Sequence, residues 1–241
     1  MTVTAQAIPM LSDNYSWLLI DSATGKTGIV DPAETRPAIA ALEALGTGLD
    51  FIFLTHHHDD HTAGVAGLVE MYHPTVVGNQ ADAHRLPPLD IAVHEGSLVD
   101  FGSARLRVIE TPGHTVGHIS YYIADGNILL PGDTLFSLGC GRLFEGSAEQ
   151  MFNSIAKYGD LPDETLICAG HEYTSSNARF ALTVEPQNEA LLHRARQVQV
   201  LRGMGQPTLP VSLGMERATN PFIRAKDVQT FARIRKAKDN A

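Results

Sequence analysis

The segment Thr55-His56-His57-His58-Asp59-Asp60-His61 sets four ligand-type side chains within six residues, in the alternating form His-x-His-x-Asp-His. Imidazole nitrogen and carboxylate oxygen suit zinc, iron or manganese. One short loop cannot comfortably bring all four donors to a single tetrahedral ion, but it can divide them between two neighbouring ions. Three more candidates follow the same local pattern: His114 after Thr111-Pro112-Gly113, Asp133 after Leu130-Pro131-Gly132, and His171 after Ala169-Gly170. Each comes just after a glycine, which permits a tight turn that exposes the next side chain. Any one of these histidines alone would read as an ordinary polar loop residue. Seven donors at the ends of four apolar runs read as a converging metal site. Two cations flanking one water lower its pKa towards neutrality and supply a hydroxide nucleophile. The chain shows no obvious serine or cysteine nucleophile that would compete with this reading. Among the other histidines, His57 points away by alternation, and His73, His84, His94 and His193 stand alone. His118, four residues after His114, reads as a supporting rather than a ligating group.

These donors need elements to carry them. Residues 3–9, 15–21 and 26–31 read as short strands, with a turn at Ala23-Thr24-Gly25-Lys26. Residues 35–45 read as an amphipathic helix with Ile39, Leu42 and Leu45 on one side. The apolar run from Asp50 to Thr55 reads as a buried strand that feeds the histidine cluster, followed by a helix over 62–72 and a strand over 75–78. A second set of strands is expected over 97–100, 104–110, 118–124, 127–131 and 165–169. The helix over 147–158 carries a capping box, Ser147 with Gln150. After Tyr173 the pattern turns helical, over 175–183, 187–202 and 226–237, with no convincing strand. The expectation is an α+β chain: sheets packed together with helices outside over 1–173, then a small α-helical domain over 174–241.

Length and composition agree with a folded enzyme. The 241 residues, 44% of them hydrophobic, can bury a sizeable core. The net charge of −9 argues against nucleic acid as the main partner. Charge is unevenly placed, since residues 216–241 carry seven Lys/Arg against three acids. That basic end fits either a small-anion site or a helix with cations in its last turn. Two cysteines, Cys140 and Cys168, read as free thiols of a reducing compartment. No apolar run is long enough to span a bilayer, and the first residues lack the features of a signal peptide. A cytoplasmic monomer without membrane contacts is the expectation.

The motifs together resemble the metallo-β-lactamase superfamily and, within it, the hydroxyacylglutathione hydrolases, or glyoxalase II. Its landmarks run along essentially the whole chain: Ser12-Asp13-Asn14-Tyr15, Val30-Asp31-Pro32, the Thr55–His61 motif, Thr111 to Thr115, and Pro131 to Thr134. More specific are Gly139 to Gly146, Gly170-His171-Glu172-Tyr173-Thr174, Asn220-Pro221-Phe222 and the ending Arg235-Lys236-Ala237-Lys238-Asp239. The resemblance implies an αββα sandwich followed by a helical, glutathione-binding domain. It implies that His56, His58 and His114 hold one metal, that Asp60, His61 and His171 hold a second, and that Asp133 bridges them. It implies two divalent ions, zinc first, with iron or manganese as alternatives. Asp60 would also orient the attacking water. Arg142, Phe144 and Tyr173 match positions beside the glutathione peptide, and Arg235 and Lys238 match positions that hold its glycine carboxylate. Some members have Lys and Tyr where this chain has Arg142 and Phe144, so Phe144 cannot donate the hydroxyl hydrogen bond. The stretch between Phe222 and Arg235 is short for the family. The implied reaction is hydrolysis of S-(2-hydroxyacyl)glutathione, such as S-D-lactoylglutathione, to glutathione and a 2-hydroxy acid, the second step of methylglyoxal detoxification. Rival readings within the superfamily are a glutathione-persulfide dioxygenase and a lactonase. A non-catalytic metal-binding scaffold is a rival of a different kind.

Overall fold

The computed structural model describes residues 2–241. Two six-stranded sheets form its centre. The first runs in chain order from β1 (Val3–Met10) through β2 (Asn14–Asp21), β3 (Thr27–Val30), β4 (Phe51–Phe53) and β5 (Thr75–Asn79) to β6 (Ile91–Val93). Its first three strands are antiparallel and the rest run parallel to β3. The second sheet contains β7 (Leu98–Phe101), β8 (Ala104–Glu110), β9 (Ile119–Ile123), β10 (Ile128–Gly132), β13 (Leu166–Ala169) and β14 (Val211–Ser212), with β10 and β13 parallel. A separate hairpin, β11 (Leu135–Phe136) and β12 (Gly139–Cys140), leaves the end of β10.

Alternation along β2 shows why the sheets stack as they do. Trp17 and Leu19 enter the core between the sheets, where Phe53, Phe101 and Tyr121 also pack. Leu18, between them, faces a second core, with Ile29, Ile52, Ala38, Leu42 and Leu68. A strand buried on both faces reads as a continuous apolar run, and helices must cover its outer face. That cover is α1 (Thr35–Leu45) and α3 (Val65–Tyr72), with the single turn α2 (Asp59–Thr62) between them in sequence. On the other side lies α4 (Ala148–Ala156), whose capping box of Ser147 and Gln150 is present. Helices α5 (Thr174–Val184), α6 (Glu189–Gly203), α7 (Leu213–Thr219) and α8 (Val228–Asp239) complete the chain.

The expected α+β sandwich and helical C-terminal part are both present. Three details differ. Leu45 is exposed and Ile39 only half-buried; α1 buries Leu42, as expected, together with Ala38. The helix expected over 62–72 is interrupted at Gly64, where a Cβ would lie 2.7 Å from backbone atoms of Pro32 and Glu34. The stretch after Tyr173 is not purely helical, because β14 pairs antiparallel with β13 at the edge of the second sheet. Among the described residues, no helix is long and apolar enough to cross a membrane.

Candidate metal centre

The parallel strands deliver the donors to one edge of the sandwich. β4 leads into Thr55 and His56, β10 into Asp133, and β13 into His171; the turn after β8 presents His114. Two close backbone approaches allow this. Gly132, before Asp133, has φ +49°, and a Cβ there would lie 2.5 Å from the Thr55 hydroxyl. A Cβ at Gly170 would meet Asp133 Oδ1 at 2.8 Å.

All seven predicted donors come together, in two groups. His56, His58 and His114 form one, and Asp60, His61 and His171 the other. Nε2 of His56 and Nε2 of His114 each lie 3.1 Å from Nδ1 of His58. Tetrahedral coordination with Zn–N bonds of about 2.0–2.1 Å sets neighbouring nitrogens about 3.3–3.4 Å apart, so the three rings already fit one ion. Asp133 lies between the groups: its Oδ2 is 3.5 Å from His114 Nε2 and 3.4 Å from His171 Nε2, and its Oδ1 is 3.5 Å from His61 Nε2. Asp60 Oδ2 lies 3.4 Å from His171 Nε2 and 3.7 Å from His61 Nε2.

The donor set asks for cations. His61 Nε2 and Asp133 Oδ1 are buried with no hydrogen-bond partner among protein groups, a costly arrangement unless something else satisfies them. Burial, followed by the neighbouring imidazoles, holds His56 well below the ordinary histidine range; burial likewise lowers His58 and His114. The second group behaves oppositely. Burial alone would depress His61 and His171, but Asp133 and the other carboxylates around them raise both. Burial raises the Asp133 carboxyl, yet His171 and His61 outweigh it and hold the group far below the carboxylate range. The imidazoles of the second group are thus surrounded by carboxylates, a surplus of negative charge that suits divalent cations.

Sequence reasoning missed the residues that aim the rings. His61 Nδ1 meets buried Asp31 at 3.0 Å, and His171 Nδ1 meets Asp13 at 3.0 Å. His114 Nδ1 donates to the Arg142 carbonyl (2.8 Å). His56 Nδ1 is 3.0 Å from the Thr55 hydroxyl, which itself donates to Asp31 (2.6 Å). An acid directly after the apolar strand β3 was the available signal for Asp31. His118, expected as a supporting group, is buried and accepts from the Asp133 backbone N–H (3.1 Å). His57 turns away from the centre and meets buried Asp82 at 3.1 Å. His73, His84, His94 and His193 are exposed, as is Asp59.

Five of the donors, His58, Asp60, His114, Asp133 and His171, line a cavity of about 780 Å³ that also reaches Arg142, Phe144, Tyr173, Arg235 and Lys238. The Tyr173 ring stacks on His171 at 4.6 Å and 6°. Phe144 is exposed and stands edge-on to His114 at 5.2 Å. Arg235 is more enclosed than a surface cation: it donates to the Cys140 carbonyl (2.7 Å), pairs with Asp239 (2.9 Å) and lies over the Phe222 ring.

A stacked pair of sheets with histidines and aspartates at strand ends along one edge defines the metallo-β-lactamase superfamily, whose family model matches residues 11–171. The fold neighbours agree. They include ETHE1 from Myxococcus xanthus (26% identity, TM-score 0.74, covering 98% of this chain and 90% of that one). Another is TTHA1623 in a di-iron-bound form (26% identity, TM-score 0.64, covering 91% and 99%). Residues 172–241 match the model described as the hydroxyacylglutathione hydrolase C-terminus. Hydroxyacylglutathione hydrolases of Ruegeria pomeroyi (48% identity, 100% of both chains) and Acidiphilium cryptum (51%, covering 98% and 96%) align along their length. The chain belongs to the hydroxyacylglutathione hydrolase family.

Proposed function

We propose that this protein hydrolyses the thioester of S-(2-hydroxyacyl)glutathione, such as S-D-lactoylglutathione, releasing glutathione and a 2-hydroxy acid. One observation carries the reading: a single cavity of about 780 Å³ joins the paired donor groups to the cations Arg142, Arg235 and Lys238. An anionic peptide thioester can lie across it with its carboxylate at the cations and its carbonyl at Asp133. In this reading His56, His58 and His114 would hold one divalent ion, Asp60, His61 and His171 would hold another, and Asp133 would be shared between them. Zinc is the first choice, with iron or manganese next. When bound, the ions supply Lewis acidity, lowering the pKa of water and polarising the carbonyl.

The chain's own groups do the rest. Asp60, whose carboxylate accepts from the Asn14 side-chain amide, orients the attacking water. Lys238 holds the substrate carboxylate, with Arg142 and Tyr173 beside the peptide, Phe144 packing against it and Arg235 shaping the wall. As the oxygen–carbon bond forms the water gives up its proton to solvent, and the carbon–sulfur bond breaks. The sulfur departs as thiolate, because a thiol pKa near about 8.5 requires no dedicated acid. Residues 1–173 would then be the catalytic domain and 174–241 the substrate-binding domain of a cytoplasmic monomer in methylglyoxal detoxification. The test is hydrolysis of S-D-lactoylglutathione by protein of defined metal content. Turnover that depends on metal supports the reading. Rapid oxygen uptake with glutathione persulfide and no thioester hydrolysis would replace it with the dioxygenase.

A further inference from the structure

The rings of the two donor groups are aimed by chemically different partners. In the first group the outer nitrogens meet neutral oxygens, the Thr55 hydroxyl and the Arg142 carbonyl. In the second they meet carboxylates, Asp31 on His61 and Asp13 on His171. The two carboxylates are placed differently. Asp31 also accepts from the backbone N–H and hydroxyl of Thr55 (2.8 and 2.6 Å), so it touches the supports of both groups. Among the donors and their supports, Asp13 reaches His171 alone.

The segment that carries Asp13 holds a second donor as well. The side-chain amide of the next residue, Asn14, donates to the Asp60 carbonyl (3.0 Å) and to Asp60 Oδ2 (3.1 Å). Its backbone forms an isolated antiparallel bridge with His171. On either side, Glu172 N–H donates to the Asp13 carbonyl and Tyr15 N–H to the Gly170 carbonyl, both at 2.8 Å. The turn between β1 and β2 is thereby laced to the end of β13, across the two sheets, and its side-chain hydrogen bonds go to members of the second donor group, His171 and Asp60.

We propose that Asp13, acting through the His171 imidazole, and Asn14, acting through the Asp60 carboxylate, are positioning residues that set how tightly the second metal is held, independently of the first. A carboxylate on the outer nitrogen fixes the ring and raises its basicity; loss of such a partner weakens metal affinity by about 10- to 100-fold. The inference rests on the ligand reading above, so its test measures metal rather than turnover. Apoprotein is titrated with zinc against a chromophoric chelator for wild type, Asp13→Ala, Asn14→Ala, Asp31→Ala and His171→Ala. The expected result is a second dissociation constant raised about 10- to 100-fold in the Asp13 and Asn14 variants, with the first constant unchanged. The Asp31 variant should weaken both. The half-buried Asp13 carboxylate meets only His171 and Ser12, so Asp13→Ala should stay folded as apoprotein, with at most a small drop in thermal midpoint. The proposal is overturned if Asp13→Ala moves both constants together or neither. If His171→Ala also leaves the second ion in place, the ligand reading itself has failed. If Asn14→Ala does not fold, Asp13→Ala carries the test alone.

Discussion

Lys238 is the cleanest place to separate substrate binding from chemistry. Its ammonium donates to the Ser176 carbonyl (3.3 Å) and sits 5.4 Å from the Phe180 ring centroid. Among the described residues no carboxylate lies within 4.0 Å of it. Burial first, then the positive charges of Arg235, Arg179 and Arg142, push its pKa down. A half-buried cation among cations, with no counter-ion of its own, is stabilised by an incoming carboxylate. A charge-assisted hydrogen bond is worth about 1.5–3 kcal/mol, and salt screening favours the low end. Lys238→Ala should therefore raise KM for a glutathione thioester about tenfold. The side chain does not touch the reacting carbonyl, so kcat should stay within about twofold, the signature of uniform binding. Removing one of several like charges should leave the thermal midpoint unchanged or slightly higher. Arg235→Ala should behave differently. It strips the Cys140 carbonyl and Asp239 of their partner, at about 1–3 kcal/mol for a buried group left unsatisfied, and should lower the thermal midpoint as well as raise KM. Steady-state kinetics at low and high salt, with thermal melts, decide the matter. A KM change below about twofold for Lys238→Ala, or an equal loss in kcat and kcat/KM, refutes the binding role.

Elemental analysis of metal-replete protein should approach two ions per chain, with Asp133→Ala depleting both sites and His171→Ala mainly the second; full activity at one ion per chain would sink the bridging role. Glu145 is held down to about 2, chiefly by its hydrogen bond to Arg85. Because the folded pKa is depressed, the pairing stabilises the fold above the ordinary value of 4.5 and is lost as pH falls towards about 2. The difference in thermal midpoint between wild type and Glu145→Gln should follow that window, and a difference that persists unchanged down to about pH 2 contradicts it. Burial pushes the Cys140 thiol up to about 11 and Cys168 further still. A disulfide reagent at mildly alkaline pH should find no fast thiol in the native protein and both after denaturation. A rapid native reaction would mean that Cys140 is open to solvent.

The donors were legible in the sequence because each obeys a local rule: a buried strand, a turn, then a side chain that nothing in the core would want. The groups that aim them were not. Asp31 and Asp13 reach His61 and His171 across gaps of 30 and 158 residues, and no local pattern encodes such a pairing. Asp82 is buried because His57 and Arg85 surround it, which a lone acid in a polar stretch does not announce. The edge strand β14 has two residues, too few for alternation to be seen. Arg235 was legible as a cation but not as a buried one. Its place depends on Phe222 and the β11–β12 hairpin, remote parts of the chain that meet only in the folded state.

The loop from Gly141 to Gly146 shows why binding and metal geometry are joined in this fold. Its Arg142 side chain lines the cavity, while the Arg142 carbonyl fixes the outer nitrogen of His114. Phe144 N–H and Glu145 N–H both donate to the His114 carbonyl, and Gly146 N–H to that of Gly113. Glu145 closes the arrangement by accepting from Val116 N–H (2.8 Å) and pairing with Arg85. One backbone segment therefore carries a cavity-lining cation on its outside and the orienting group of His114 on its inside. Changing the Arg142 side chain leaves the carbonyl where it is and should alter binding alone. Loosening the backbone, by breaking the Arg85–Glu145 pair, tilts His114 as well. On the proposed reading, the fold would tie the wall that meets the substrate to the imidazole that holds the ion, so the two could not drift apart independently.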